Sequence, residues 1–162
     1  MTGKIEIRAL NSEEVRNASD LADLVYPGEL YESLECFENK RNFYPKGFLG
    51  LFVNGEFEGY VVCHPWNSDK EVPLNSMLNE KNRGNVFYVH DLVINESQRG
   101  MGYGKMLLER AVKIGIDEGY QMFMLVAVNE LVKKMAEKIG FKANEGISYN
   151  GIKGLIMKYG KN

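Results

Sequence analysis

The spacing of polar and apolar positions in this chain changes several times, and each change marks an element. Ile5 and Ile7 alternate with polar neighbours in KIEIRAL, which predicts a short strand with one buried face. Asn11 or Ser12 followed by Glu13 and Glu14 suits a helix start, and Val15, Ala18, Leu21, Ala22 and Val25 recur at helical spacing until Pro27-Gly28 stops them near Tyr26. A second helix is predicted from Leu30 to about Asn42. GFLGLFVNGEFEGYVVCHPW holds two β-rich runs around Asn54-Gly55, a dipeptide favoured in tight hairpins because both central residues need positive φ. From Asn67 to Asn85, Ser, Asp, Pro, Asn and Gly mix with a short apolar stretch at Leu74, Met77 and Leu78, a long excursion of a kind often functional in compact domains.

VFYVHDLVI then reads as a buried strand, and after a glycine-rich turn Met106, Leu107, Arg110, Ala111, Ile114 and Gly115 mark a helix ending at Gly119. QMFMLVAV is another buried strand, NELVKKMAEKIG a short amphipathic helix closed by Gly140, and FKANEGISYNGIKGLIMKY a terminal strand pair turning near Tyr149-Asn150-Gly151. The order β, α, α, β, β, β, α, β, α, β, β predicts an α/β (α+β) fold. Its central sheet is mixed and mostly antiparallel, flanked by helices, with one right-handed β–α–β crossover.

The chain of 162 residues is enough for one domain with a core of its own, so a single domain over 1–162 is expected. With 44% hydrophobic and 26% charged residues it falls in the soluble globular class. The first residues turn polar before any apolar h-region or span is built, so a cytoplasmic protein without a membrane segment is expected. Cys36 and Cys63 lack both metal-ligand spacing and a secreted context and read as reduced core or pocket residues. A net charge of -2 and a pI near 5.8 leave no basic footprint for nucleic acid, apart from a local strip at Lys133, Lys134 and Lys138.

The chemistry concentrates between strand VFYVHDLVI and the following helix. Gln98-Arg99-Gly100-Met101-Gly102-Tyr103-Gly104-Lys105 sits where unpaired N–H groups and the positive end of a helix dipole converge, so an anion fits there. Glycines 100, 102 and 104 let the backbone approach it, Arg99 or Lys105 adds charge, and pyrophosphate is the natural ligand. Alone, the three glycines read equally well as a flexible connection; neither Walker nor Rossmann spacing is present.

Arg99-x-x-Gly102-x-Gly104, preceded by His90-Asp91-Leu92-Val93-Ile94 and followed by Leu107-Leu108, resembles the acetyl-CoA signature of the Gcn5-related N-acetyltransferase (GNAT) superfamily, (Q/R)-x-x-G-x-(G/A). The likeness runs through LVAVNELVKKMAEKIGF and covers about residues 85 to 142; the first half agrees in element order more than in motif. The resemblance implies a GNAT-like sheet with a β–α–β acetyl-CoA-binding core and transfer of an acetyl group from acetyl-CoA to a primary amine of a small molecule or peptide. By it, pyrophosphate takes N–H bonds from Gly100, Met101, Gly102, Tyr103, Gly104 and Lys105. Backbone groups of Leu92, Val93 and Ile94 pair with the pantetheine arm like an added strand, left free by a splayed neighbour. Asn129 bonds the pantetheine, caps the next helix, or does both.

An activated thioester needs a neutral amine held close, a polarised carbonyl and two managed protons, with no covalent enzyme intermediate. Tyr88, His90 and Asp91 precede the pantetheine-binding stretch and are the catalytic candidates. Period-two geometry puts Tyr88 and His90 on one face and Asp91 on the other, unless a bulge reorients them. Tyr88 corresponds to a well-known glutamate base of the superfamily; a neutral tyrosine is a poor base, which favours His90 or Asp91. A structural role for His90, and a loop- or substrate-fixing role for Asp91, stand as alternatives. The superfamily's tyrosine acid is absent, since Ala136 occupies its place, leaving thiolate protonation to water, Tyr149, Tyr103 or no group at all.

For the acceptor, Tyr31, Glu35, Phe43 and Tyr44 lie in the region that lines acceptor pockets in the superfamily, and Cys63-His64-Pro65-Trp66 leads into the excursion. Tyr31, Glu35 and Trp66 are the substrate candidates, an aromatic and acidic set suited to a cationic amine; Trp66 reads equally as a core cap. His64, His90 and Asp91 show no metal-ligand spacing, so no metal is expected. Dimers are common in the superfamily, so a homodimer is carried as an expectation although no apolar seam stands out. The rival readings are a noncatalytic coenzyme A-binding module, a transferase of longer acyl groups and a nucleotide-binding module.

Overall fold

The computed structural model describes residues 3–160. The chain runs β1 (Ile5–Ala9), α1 (Val15–Val25), α2 (Leu34–Phe43), β2 (Phe48–Val53), β3 (Glu56–Trp66), β4 (Val86–Ile94), α3 (Tyr103–Asp117), β5 (Met122–Ala127), α4 (Glu130–Ile139), β6 (Lys142–Tyr149) and β7 (Ile152–Gly160), the order the periodicity predicts. The strands make one seven-stranded sheet in the order β1-β2-β3-β4-β5-β7-β6, antiparallel throughout except for the parallel pair β4–β5. Both hairpins turn on Asn-Gly pairs with positive φ, Asn54-Gly55 (52° and 84°) and Asn150-Gly151 (50° and 90°).

The helix starts differ from the sequence expectation. Asn11 accepts from the N–H groups of Glu13 and Glu14, but its turn runs on to Glu14, and α1 begins only at Val15. Residues 28–30 form a 3-10 turn followed by extended chain, and Ser33 caps α2 by accepting from Cys36 N at 3.1 Å. The helix therefore starts at Leu34 instead of Leu30.

One sheet face packs α3 and α4 over a core that includes Phe87, Val89, Leu107, Leu108, Phe123 and Phe141. On the other, α1 and α2 cover Phe48, Tyr60, Val62 and Val93, and the β3–β4 excursion adds Val72 and Leu78 beside Trp66 and Tyr88. No described helix is long and apolar enough to cross a membrane.

Candidate active site

The parallel pair β4–β5 is short. Val86–Val89 pair with Met122–Leu125 and pairing then ends, although β4 continues against β3 to Ile94 and β5 against β7 to Ala127. The two strands diverge, and the edge of β4 from His90 to Ile94 has no β5 partner. A pocket of about 280 Å³ passes through this gap. Leu108 and Val132 line it from one sheet face, and Tyr26, Tyr31, Glu32 and Leu74 from the other.

A β-bulge sits at the point of divergence. Val62 pairs with Asp91 but Cys63 with Val89, so His90 is the extra residue. The bulge is the exception that the period-two reading allowed: Tyr88, His90 and Asp91 all point to the α1–α2 face, as their contacts with His64, Tyr26 and Tyr60 require.

Asp91 is half-buried and accepts two phenol hydrogen bonds, from Tyr26 at 2.5 Å and from Tyr60. Burial raises its carboxyl above the usual aspartate value, against the two phenols, which pull it down; the Glu32 charge adds to the rise. Burial beside Asp91 pushes both phenols far up, so they remain donors.

His90 belongs to a second chain of contacts. His64 Nδ1 lies 2.8 Å from the Pro65 carbonyl, which only accepts, so that nitrogen carries the proton and Nε2 is an acceptor. His64 Nε2 faces His90 Nδ1 at 3.5 Å, and His90 Nε2 faces Glu32 Oε1 at 3.1 Å. Every contact is satisfied when both His90 nitrogens carry protons, an imidazolium between a neutral imidazole and a carboxylate. Burial holds His64 well below the ordinary histidine value and so keeps it neutral. Burial pulls Glu32 upward, yet the facing His90, its hydrogen bond and the Lys40 charge outweigh it and leave Glu32 at about 2.

The other predicted residues fall in different surroundings. Tyr88 is buried beside the pocket and its oxygen accepts from Val72 N at 3.2 Å, while burial raises its phenol far above the ordinary value. Tyr31 stands at the pocket mouth with half its surface exposed. Glu35 is on the solvent side of α2, outside the pocket, because Cys36, Phe37, Lys40 and Phe43 form the buried face of that helix. Trp66 is a core residue that donates to the Lys70 carbonyl at 2.8 Å and does not line the pocket. Tyr103 packs into the core, whereas Tyr149 lines the pocket, its phenol raised by burial to about 12. Tyr26, Glu32 and Tyr60 escaped the sequence reading. Glu32 stands in chain with no period, and only Tyr60 carried a signal, the alternation of its strand.

At the start of α3, Gly100 and Gly102 both take φ near 84°, and Gly102 is the N-cap with no side chain capping the first turn. A Cβ at either would meet nothing within 4 Å, so these glycines answer to left-handed backbone, not to crowding within the chain. Gly104 is different: a Cβ there would come 3.0 Å from Met135 Sδ on α4. Met101 and Lys105 are exposed, and Arg99 folds back to donate to the Ile94 carbonyl at 3.3 Å. Leu92 packs against the α3 face, Val93 is buried on the α1 side and Ile94 on the α3 side. Asn129 caps α4 by accepting from Val132 N at 2.9 Å, leaving its amide NH2 free of that bond. Ala136 is fully buried. Among the described residues no group of three His, Cys, Asp or Glu side chains is arranged to hold a metal.

The sequence profile of the acetyltransferase (GNAT) family matches residues 14–141. No curated protein matches the chain. Among solved structures it is similar to Ard1 from Thermoplasma volcanium (TM-score 0.78, 14% identity, 98% of each chain covered). It is also similar to Arabidopsis thaliana Naa50 in complex with the bisubstrate analogue CoA-Ac-MVNAL (0.75, 15%, 95% of this chain and 97% of that one). A third similar structure is the Drosophila melanogaster polyamine N-acetyltransferase, which catalyses formation of N-acetylagmatine (0.74, 13%, 97% and 100%). At these identities the likeness is one of fold.

Proposed function

The chain belongs to the acetyltransferase (GNAT) family, and from that premise we propose that it is a one-domain enzyme moving an acetyl group from acetyl-CoA to the amine of a small molecule or peptide by direct attack in a ternary complex. The observation that carries this reading is the gap between β4 and β5, with a pocket running through it from the α3–α4 side to a tyrosine- and carboxylate-lined chamber. A thioester in the gap is reachable by an amine from the other face without crossing solvent.

The N–H groups from Gly100 to Lys105 receive the pyrophosphate at the uncapped end of α3, with Arg99 and Lys105 supplying charge. The unpaired edge of Leu92, Val93 and Ile94 bonds the pantetheine amides as a strand would, and the free NH2 of Asn129 donates to the same arm.

Two groups divide the protons. Asp91, raised by burial, takes the proton the amine loses as nitrogen attacks the carbonyl carbon. His90, held through Nε2 by Glu32, gives up its long 3.5 Å Nδ1 contact with His64 to deliver that proton to the sulfur as the C–S bond breaks, standing in for the tyrosine that Ala136 replaces. One proton passing from Asp91 to its neighbour His90 restores the resting state. Tyr88, with its oxygen occupied by Val72, shapes the chamber.

The test is thiol release from acetyl-CoA against spermidine, an aminoglycoside, free amino acids and short peptides, with the acetylated product identified by mass. Expected is turnover of at least one amine and a loss of about 10²-fold or more in kcat/KM for Asp91→Asn. Coenzyme A binding without turnover of any amine supports a noncatalytic module instead, and no calorimetric heat with coenzyme A or acetyl-CoA overturns the proposal.

A further inference from the structure

Lys40 is a charged side chain that the chemistry above does not use. It stands on α2, only 3% exposed, and its Nζ donates to the Ser76 carbonyl at 2.8 Å and to Cys36 Sγ at 3.1 Å. Burying an ammonium is costly unless it is paired, and a methionine of similar length would fill the same space without that cost. No carboxylate is within ion-pair distance of it among the described residues.

What Lys40 does reach is Glu32, through one intermediary. Cys36 Sγ accepts from Lys40 and its one S–H faces both Glu32 Oε2 at 3.4 Å and the Ser76 carbonyl at 3.6 Å, so a file of contacts runs from Lys40 through Cys36 and Glu32 to His90 and His64. The excursion between β3 and β4 closes the other side. Asn75 N donates to Glu32 Oε2 at 3.1 Å, the Asn75 side chain bonds Ser33 N and the Tyr31 carbonyl, and Asn39 exchanges two hydrogen bonds with Leu78. Glu32 is thus gripped by α2 and by the excursion at once, and Ser76, one residue beyond Asn75, is where Lys40 ties the two together.

We propose that Lys40 is a positioning residue for acetyl transfer: anchored on Ser76, it locks the excursion to α2 so that Glu32 is held in register and ionised against His90. The inference rests on the reading that His90 supplies the proton to the leaving thiolate. The buried ammonium behind Glu32 favours the charged form of that carboxylate whether or not His90 holds its proton. The other titratable groups facing the pair are Tyr26 from the end of α1, Cys36 from α2, Tyr60 and His64 from β3, Tyr88 and Asp91 from β4, and Tyr149 from β6. A role for the excursion follows, since a shorter β3–β4 connection would lose the carbonyl that anchors Lys40 and the amide that orients Glu32.

The chain has two histidines, so their ring nitrogens can be read without assignment variants. The experiment labels histidine with 15N in the coenzyme A-bound protein and compares wild type, Lys40→Met, Lys40→Arg and His90→Gln. Alongside it runs acetyl transfer to the fastest acceptor of the amine panel. Wild type is expected to give one ring protonated on both nitrogens and one neutral ring protonated on Nδ1. In Lys40→Met the hydrogen-bonded Nε2–H signal of the first ring broadens or disappears and kcat falls at least tenfold. Coenzyme A affinity stays within about threefold, and Lys40→Arg recovers much of both losses. If Lys40→Met fails to bind coenzyme A, Lys40→Gln, uncharged but still able to donate to Ser76, is judged by the same criteria. A charge-free variant that keeps both the ring signal and turnover within twofold of wild type overturns the role of Lys40. If His90→Gln turns over like wild type, the proton-donor reading itself fails, whatever the Lys40 variants do.

Discussion

Glu32 and Asp91 are carboxylates within one chamber, yet their surroundings drive them in opposite directions, and stability should record the difference. Glu32 is lowered to about 2 from an ordinary glutamate value of 4.5, so its contribution is fully present above pH 4.5 and is lost as pH falls towards 2. Asp91 is raised, so its contribution is present below the ordinary 3.8 and is lost as pH climbs through its folded value. Glu32→Gln removes the carboxylate that faces His90 and the Lys40 charge and should cost about 3 kcal/mol at pH 7, with the penalty shrinking between pH 5 and 2. Asp91→Asn removes an ionised group that burial disfavours and should stay within about 1 kcal/mol of wild type at pH 7 while kcat/KM collapses. Urea unfolding at several pH values checks both, and equal penalties for the two would mean the chamber does not discriminate between its carboxylates. His90 and Asp91 were legible in the sequence because they flank the pantetheine-binding stretch. Glu32 was not, because a residue between a 3-10 turn and a helix cap carries no period to read.

At the scale of elements, the two Asn-Gly hairpins and the strand-turn-helix around Gly102 were readable because each rests on local backbone chemistry. The bulge at His90 was not, since it exists only as a mismatch between β4 and β3, and neither strand alone announces it. The same division explains Glu35: its place on a helix was foreseen, but the buried face of that helix carries Cys36, Phe37, Lys40 and Phe43 and leaves Glu35 to solvent, a choice made by packing against distant elements. Asn129 joins a local and a distant role in one side chain, and these can be separated. Its Oδ1 caps α4, so Asn129→Ala should lower stability by about 1 kcal/mol, whereas Asn129→Asp keeps the capping oxygen and should leave the melting temperature nearly unchanged. Aspartate has no NH2 to offer the pantetheine and adds a negative charge, so Asn129→Asp should weaken coenzyme A binding several-fold by calorimetry. An Asn129→Asp protein that binds as tightly as wild type would reduce Asn129 to a cap.

Across the whole molecule, the element order was enough to reach the right sheet, because β–α–β crossovers and short antiparallel connections leave few alternatives. The distance over which β4 and β5 remain paired is a property of two strands separated by α3, and it decides where the pocket lies. That gap makes β4 the least symmetrically supported of the inner strands: bonded to β3 along its length but to β5 only as far as Val89. Amides of residues 90–94 that point into the gap should therefore exchange with solvent faster than those of Val86–Val89, whose neighbours are paired on both sides. In the binding mode proposed above, coenzyme A along the unpaired edge would supply the missing partner, so its binding should slow exchange in 90–94 and, at the uncapped end of α3, in 100–105. β1 and β6, the outer strands of the sheet, should not respond. Hydrogen exchange followed by mass spectrometry, with and without coenzyme A, resolves these segments. Protection confined to 100–105 would mean the ligand is held by its phosphates alone and the gap is not its channel. Protection spread evenly over all seven strands would point instead to a general stabilisation of the fold by ligand.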